Sequence, residues 1–135
     1  MVGKIRTLIS YNDIEIANKI EESIKDLDFV DVVAKTTTGQ ETYDSIISYK
    51  PDMVFMKYEN SDINTIDMIS NVIKELSDKT PLFNLFADNS TMQELNVNFK
   101  RIGKALNAYW NDVDVEWIKG VLQDYSEYIN TTINR

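Results

Sequence analysis

Short apolar runs alternate with stretches in which apolar residues recur every three or four positions, and the chain repeats this alternation five times. A run of four to eight apolar residues suits a buried strand. The three-four spacing suits a helix with one buried stripe, so the order predicts an α/β fold with a parallel sheet. The first strand is expected from Lys4 to Ser10. A helix follows from Asn12 or Asp13, either of which can cap exposed backbone N–H groups, with Ile16, Ile20, Ile24 and Leu27 as its stripe. Phe29 to Ala34 predicts the second strand, Thr36 to Gly39 a polar loop, and Tyr43, Ile46 and Ile47 the buried side of the second helix. Pro51 ends that helix and opens the third strand, whose run Met53-Val54-Phe55-Met56 stops at Lys57. Ile66, Ile69, Ile73 and Leu76 mark a third helix, and Pro81 to Phe86 a fourth strand. Met92, Leu95, Phe99 and Ile102 predict a fourth helix, weakened by Asn96, Asn98 and Gly103. A fifth strand is expected near Asn107 to Trp110. The last helix starts at an Asp114 cap, with Glu116 in its first turn, and carries Ile118, Val121, Leu122, Tyr125 and Ile129 on one face. No linker or repeat interrupts the pattern, which makes residues 1–135 one domain; the polar tail Asn130 to Arg135 reads as the start of a linker to a further domain.

Composition narrows the chemistry. The 135 residues are 43% hydrophobic and 27% charged, the balance of an ordinary globular domain. No apolar run approaches the roughly 18 residues of a membrane span and no signal region opens the chain, so the expected location is the cytoplasm, away from any membrane. The absence of cysteine and histidine removes disulfides, thiolate metal sites, cysteine nucleophiles and the commonest general base. A net charge of -8 argues against direct nucleic-acid contact, which relies on clustered Lys and Arg.

The run Lys4-Ile5-Arg6-Thr7-Leu8-Ile9-Ser10 before Tyr11-Asn12, the run Pro51-Asp52-Met53-Val54-Phe55-Met56 before Lys57, the pair Phe86-Ala87, and Asn111-Asp112 shortly before Asp114-Val115-Glu116-Trp117-Ile118 together resemble the receiver domain of bacterial two-component response regulators. The resemblance spans nearly the whole chain. It implies a doubly wound, flavodoxin-like sheet of five parallel strands in the order 2-1-3-4-5, helices on both faces, and a site beyond the carboxyl ends of the strands. At the family's acidic pair this chain has Tyr11 and Asn12; at the phosphoacceptor aspartate, Lys57; at the Thr or Ser of strand four, Phe86; at the lysine closing strand five, Asn111.

These departures matter because the family's phosphoryl transfer uses an aspartate nucleophile and Mg²⁺ held by oxygen ligands. A lysine ammonium at about 4 Å from a divalent ion is repelled by roughly 8 kcal/mol at an effective dielectric of about 20. The resemblance therefore implies a degenerate receiver without metal or other cofactor, not an enzyme, and acting through a protein partner: a kinase, a regulator or its own effector domain, in signalling or transcriptional control. Dimerisation through the fourth and fifth helices is a further family expectation. Asp13 and Glu59 are the carboxylates nearest the altered positions and are the candidates for a relocated phosphorylation or metal site. Lys57 has two readings: a passive side chain whose methylenes lie on apolar neighbours while its ammonium reaches water or Asp13, or a fixed charge standing in for the metal.

A flavin-binding protein with the same winding is the alternative from another class. The turn Ser10-Tyr11-Asn12-Asp13 opposes it, lacking a glycine-rich phosphate cradle and placing Asp13 where a phosphate would sit. The family's aromatic switch position falls on Ala108, with Tyr109 one residue on, and Trp110 and Trp117 are expected to pack inside.

Overall fold

A computed structural model describes residues 4–87, 106–109 and 114–133. The expected fourth helix (Met92, Leu95, Phe99, Ile102), Trp110 and Asn111 lie outside the described residues. Within them the order is β1 (Ile5–Ser10), α1 (Ile14–Ile24), β2 (Val30–Thr36), α2 (Gly39–Tyr49), β3 (Met53–Lys57), α3 (Thr65–Glu75), β4 (Leu82–Phe86), β5 (Leu106–Tyr109) and α4 (Val115–Ile133). The strands form one parallel sheet in the order β2-β1-β3-β4-β5.

Each helix begins where a short polar side chain meets free N–H groups. The Asp13 carboxylate accepts from Glu15 N–H at 3.0 Å, Thr38 Oγ1 from Glu41 N–H at 3.1 Å, Asn64 Oδ1 from Asp67 N–H at 3.0 Å, and Asp114 Oδ1 from Glu116 N–H at 2.9 Å. Of the two caps proposed for α1, Asp13 is the one used, and its carboxylate is committed there. At the end of α2, Lys50 takes a left-handed conformation (φ 48°) just before Pro51, whose ring cannot continue a helix.

The sheet buries both faces. Met53, Val54, Phe55 and Met56 are wholly buried, as a strand covered by helices on either side requires. Val54, Met56, Phe83 and Leu85 meet Ile46 of α2 and Ile66, Ile69 and Val72 of α3. Met53, Phe55 and Phe86 meet Ala17, Ile20 and Ile24 of α1 and Ile118 and Leu122 of α4. Trp117 packs edge-on to Phe86 (centroids 5.6 Å, 73°) and to Phe55 (6.4 Å, 88°), so it is a core aromatic. Asn84, also wholly buried, donates to the Val54 and Leu82 carbonyls at 3.2 and 3.3 Å.

Several boundaries differ from the sequence reading: β1 begins at Ile5, α1 ends at Ile24 before Leu27, α3 ends at Glu75 before Leu76, β5 is Leu106–Tyr109, and two further ends shift as well. α4 continues through Ile133, so residues 130–133, read as the start of a linker, are helical. No Pro interrupts this stretch, and Tyr125 and Ile129 still pack on the α1/α4 cluster, which carries the helix onward. β2 runs to Thr36 and holds one residue more than its partner: Thr7 pairs with Val32 and Leu8 with Ala34, leaving Val33 as a bulge.

Candidate functional site

The parallel order brings the carboxyl ends of β1, β2, β3 and β4 to one rim, where Ser10 lies beside Thr36 and Met56, and Lys57 beside Phe86. Main-chain pairing continues past the strands: Tyr11 N–H donates to Thr36 C=O at 3.0 Å, and Tyr58 N–H to Phe86 C=O at 2.9 Å. Tyr11 is thereby fixed with its ring buried in the α1/α4 cluster. The Lys57 ammonium stands 5.3 Å from that ring's centroid, a cation–π distance. Among the described residues no carboxylate is within ion-pair reach of Lys57. The proposed partner Asp13 is occupied in capping α1, so the aromatic face takes the charge instead.

Behind this rim a chain of hydroxyls ties three elements together. Thr42 of α2 donates to Thr38 C=O at 2.7 Å, which uses its single proton; the Ser10 and Thr36 hydroxyls, each 2.7 Å away, therefore donate to it. The turn after β3 is fixed by Asn60, whose amide donates to Lys57 C=O at 3.2 Å and to Thr65 Oγ1 at 2.9 Å, while the Thr65 hydroxyl donates to Tyr58 C=O.

The same turn is latched to α2. The Asp62 carboxylate accepts from Gly39 N–H at 3.0 Å and Gln40 N–H at 2.9 Å, filling the positive end of that helix. These bonds, from Gln40 first and Gly39 second, hold Asp62 below the ordinary carboxylate range. Gly39 is required for the approach, since a Cβ there would come within 2.2 Å of Ile63 Cγ1 and 3.0 Å of Asp62 Oδ1. Sequence reasoning found neither Asp62 nor Gly39, although a glycine opening a helix behind a Thr cap was a visible sign.

A cavity of about 320 Å³ lies between the segments that follow β1, β2 and β3, lined by Asn12, Thr37, Thr38, Lys57, Glu59, Asn60, Ser61 and Asp62. It gathers Asn12, Lys57 and Glu59 from the expected site. Tyr11 lies beneath Lys57, and Phe86 is turned into the α1/α4 core against Trp117, outside the cavity lining. Asp13 does not line it. One oxygen of Glu59, Oε1, is buried with no donor among the described residues.

The receiver resemblance implies a divalent cation at this rim. The donor set does not fit one: among the described residues no three acidic side chains converge, Asp62 and Asp13 are held by backbone N–H groups, and Lys57 adds a positive charge to the lining that Glu59 shares. No helix among the described residues is long and apolar enough to cross a membrane.

Comparison with known proteins agrees with the geometry at the level of fold. No family model matches the sequence, and no curated protein matches it. Solved structures do. The receiver domain of AraT, a response regulator from Geobacillus stearothermophilus, superposes with a TM-score of 0.77 at 15% identity, over 94% of this chain and 96% of that one. The response regulator domain of Thermotoga maritima CheB gives 0.70 at 17% identity over 98% of both chains, and the Vibrio cholerae chemotaxis protein CheY4 gives 0.73 at 15% over 90% and 98%. The chain has the α/β, flavodoxin-like fold of receiver domains.

Proposed function

We propose that this chain is a degenerate receiver domain that works in bacterial signal transduction or transcriptional control as a phosphorylation-independent protein-interaction module. The observation that carries the reading is Lys57: at the end of β3, where the family keeps its acceptor, stands an ammonium resting on the Tyr11 ring. A lysine cannot form an acyl phosphate, and its charge opposes the metal that the transfer needs. The Asp62 latch supports the same reading, because it holds the loop after β3 to α2 by an internal carboxylate with no covalent modification. In this reading the domain is not an enzyme, acts in the cytoplasm, leaves nucleic-acid contact to another domain, and meets its partner or a second copy through helical surfaces.

Amide NMR during titration with Mg²⁺ and beryllofluoride tests it. The expected result is no saturable shift at Asn12, Lys57 or Glu59, and none after Lys57→Asp either, since Tyr11 and Asn12 still supply no carboxylate. Saturable shifts centred on Asp13 and Glu59 in the wild-type protein would establish the relocated-carboxylate reading instead.

A further inference from the structure

The cavity at the strand ends has more polar groups than the protein itself uses. Asp62 is held by the Gly39 and Gln40 N–H groups, Asn60 by the Lys57 carbonyl and Thr65, and the Thr37 and Thr38 hydroxyls by Glu41 at 3.0 and 3.2 Å. Four lining side chains have no hydrogen-bond or ion-pair partner among the described residues: the Asn12 amide, the Lys57 ammonium, the Ser61 hydroxyl and the Glu59 carboxylate. Lys57 offers only donors, and an ionised Glu59 only acceptors.

The charge pattern restricts what can enter. A lone anion attracted to Lys57 meets the Glu59 and Asp62 carboxylates, the latter already holding the Gly39 and Gln40 N–H groups, and a lone cation or metal attracted to Glu59 meets the Lys57 ammonium. A molecule carrying both charges meets each with its opposite. The volume, about 320 Å³, lies at the small end of ligand sites.

We propose that this cavity binds a small zwitterionic amino acid, its carboxylate on Lys57 and Asn12 and its ammonium on Glu59 and Ser61. The ligand would brace the loop after β3 against the turn after β1, giving the fold an effector-binding site at the rim where its relatives in fold carry phosphorylation chemistry. The inference does not rest on the protein-interaction reading: ligand binding and phosphorylation are measured separately, and either result can stand without the other.

The test is an amide NMR titration of the wild-type chain with glycine, β-alanine, γ-aminobutyrate and the common α-amino acids. Acetate, methylammonium, inorganic phosphate and MgCl₂ serve as single-charge probes. Saturable shifts at Asn12, Lys57, Glu59 and Ser61 are expected below about 10 mM for at least one zwitterion and for none of the single-charge probes. Lys57→Met and Glu59→Gln should each weaken that binding by at least about tenfold, the loss of one charge-assisted hydrogen bond. Ser61→Ala, at an exposed position that leaves the core untouched, should weaken the binding by a smaller factor. No saturation by any zwitterion, equal binding of a single-charge probe, or an unchanged dissociation constant in folded Lys57→Met and Glu59→Gln would overturn the proposal.

Discussion

Replacing Gly39 by alanine separates helix propensity from loop packing, because the two act in opposite directions at this position. Alanine is favoured over glycine by about 1 kcal/mol in a helix interior, so an unobstructed first turn would gain a fraction of that. Here the added Cβ would stand 2.2 Å from Ile63 Cγ1 and 2.6 Å from Ile63 Cδ1, more than an ångström inside ordinary carbon contact. Asp62, bound to the N–H groups of Gly39 and Gln40, holds this turn against α2, so relief has to come from the Ile63 side chain leaving its rotamer. Overpacking of this kind costs about 1–3 kcal/mol, which leaves a net loss of about 1–2 kcal/mol. For a domain of this size that corresponds to a fall in Tm of roughly 3–8 °C. Thermal and urea denaturation followed by circular dichroism would measure it, and a double-mutant cycle with Ile63→Ala would assign it. Trimming Ile63 removes the clash, so the coupling between the two positions should reach about 1 kcal/mol in the restoring direction. A Gly39→Ala protein as stable as wild type, or a coupling near zero, would refute the close-approach argument.

Asp62→Asn should lower the urea midpoint at pH 7, and the gap from wild type should close in acid. The Asp62 carboxyl is depressed in the folded state, so its contribution is complete above the unfolded value near 4 and is lost as pH falls through the lower folded value. A gap that persists at the lowest pH where both proteins still fold would count against the latch. Thr42→Val should cost about 1–3 kcal/mol in urea unfolding, because it strands the buried Ser10 and Thr36 hydroxyls that share Thr42 as acceptor; a neutral result would mean those hydroxyls find other partners. Asn84→Asp should cost at least about 3 kcal/mol near neutral pH, since a buried carboxylate would face the Val54 and Leu82 carbonyls that the amide now satisfies. Wild-type stability in that variant would show that water reaches the middle of β4.

The elements that the sequence made legible are those whose residues lie within a turn or two of one another. The stripe Ile20–Ile24, the Asp13 and Asp114 caps, and the apolar run of β3 each announce themselves over a few positions, because burial periodicity and capping are local. The position of Lys57 at the rim also followed, from the run that precedes it. Its contact with Tyr11 did not, being set by how β1 and β3 pair, and Asp13, the nearest carboxylate in the sequence, proved to be taken by its own helix. The Asp62–Gly39 latch spans 23 residues and the Ser10–Thr42 contact 32, and nothing in either segment alone specifies its distant partner. Phe86 illustrates a further gap: its place in the strand follows from its own apolar run, while its rotation toward Trp117 depends on a residue 31 positions further on.

The bulge at Val33 bears on how copies of this chain meet in a crowded solution. β2 is an outer strand of the sheet, and such strands invite edge-to-edge aggregation with another chain. Val33 breaks the even spacing of the strand and increases its local twist, and the exposed Asp31 and Lys35 flank the break. A second strand approaching that edge would meet a distorted ladder with the Asp31 charge at one end and, at the other, a Lys35 ammonium held by Glu21 and Asn18 at 2.7 Å each, so sheet extension, the common route to fibrils, is guarded on this side without any proline.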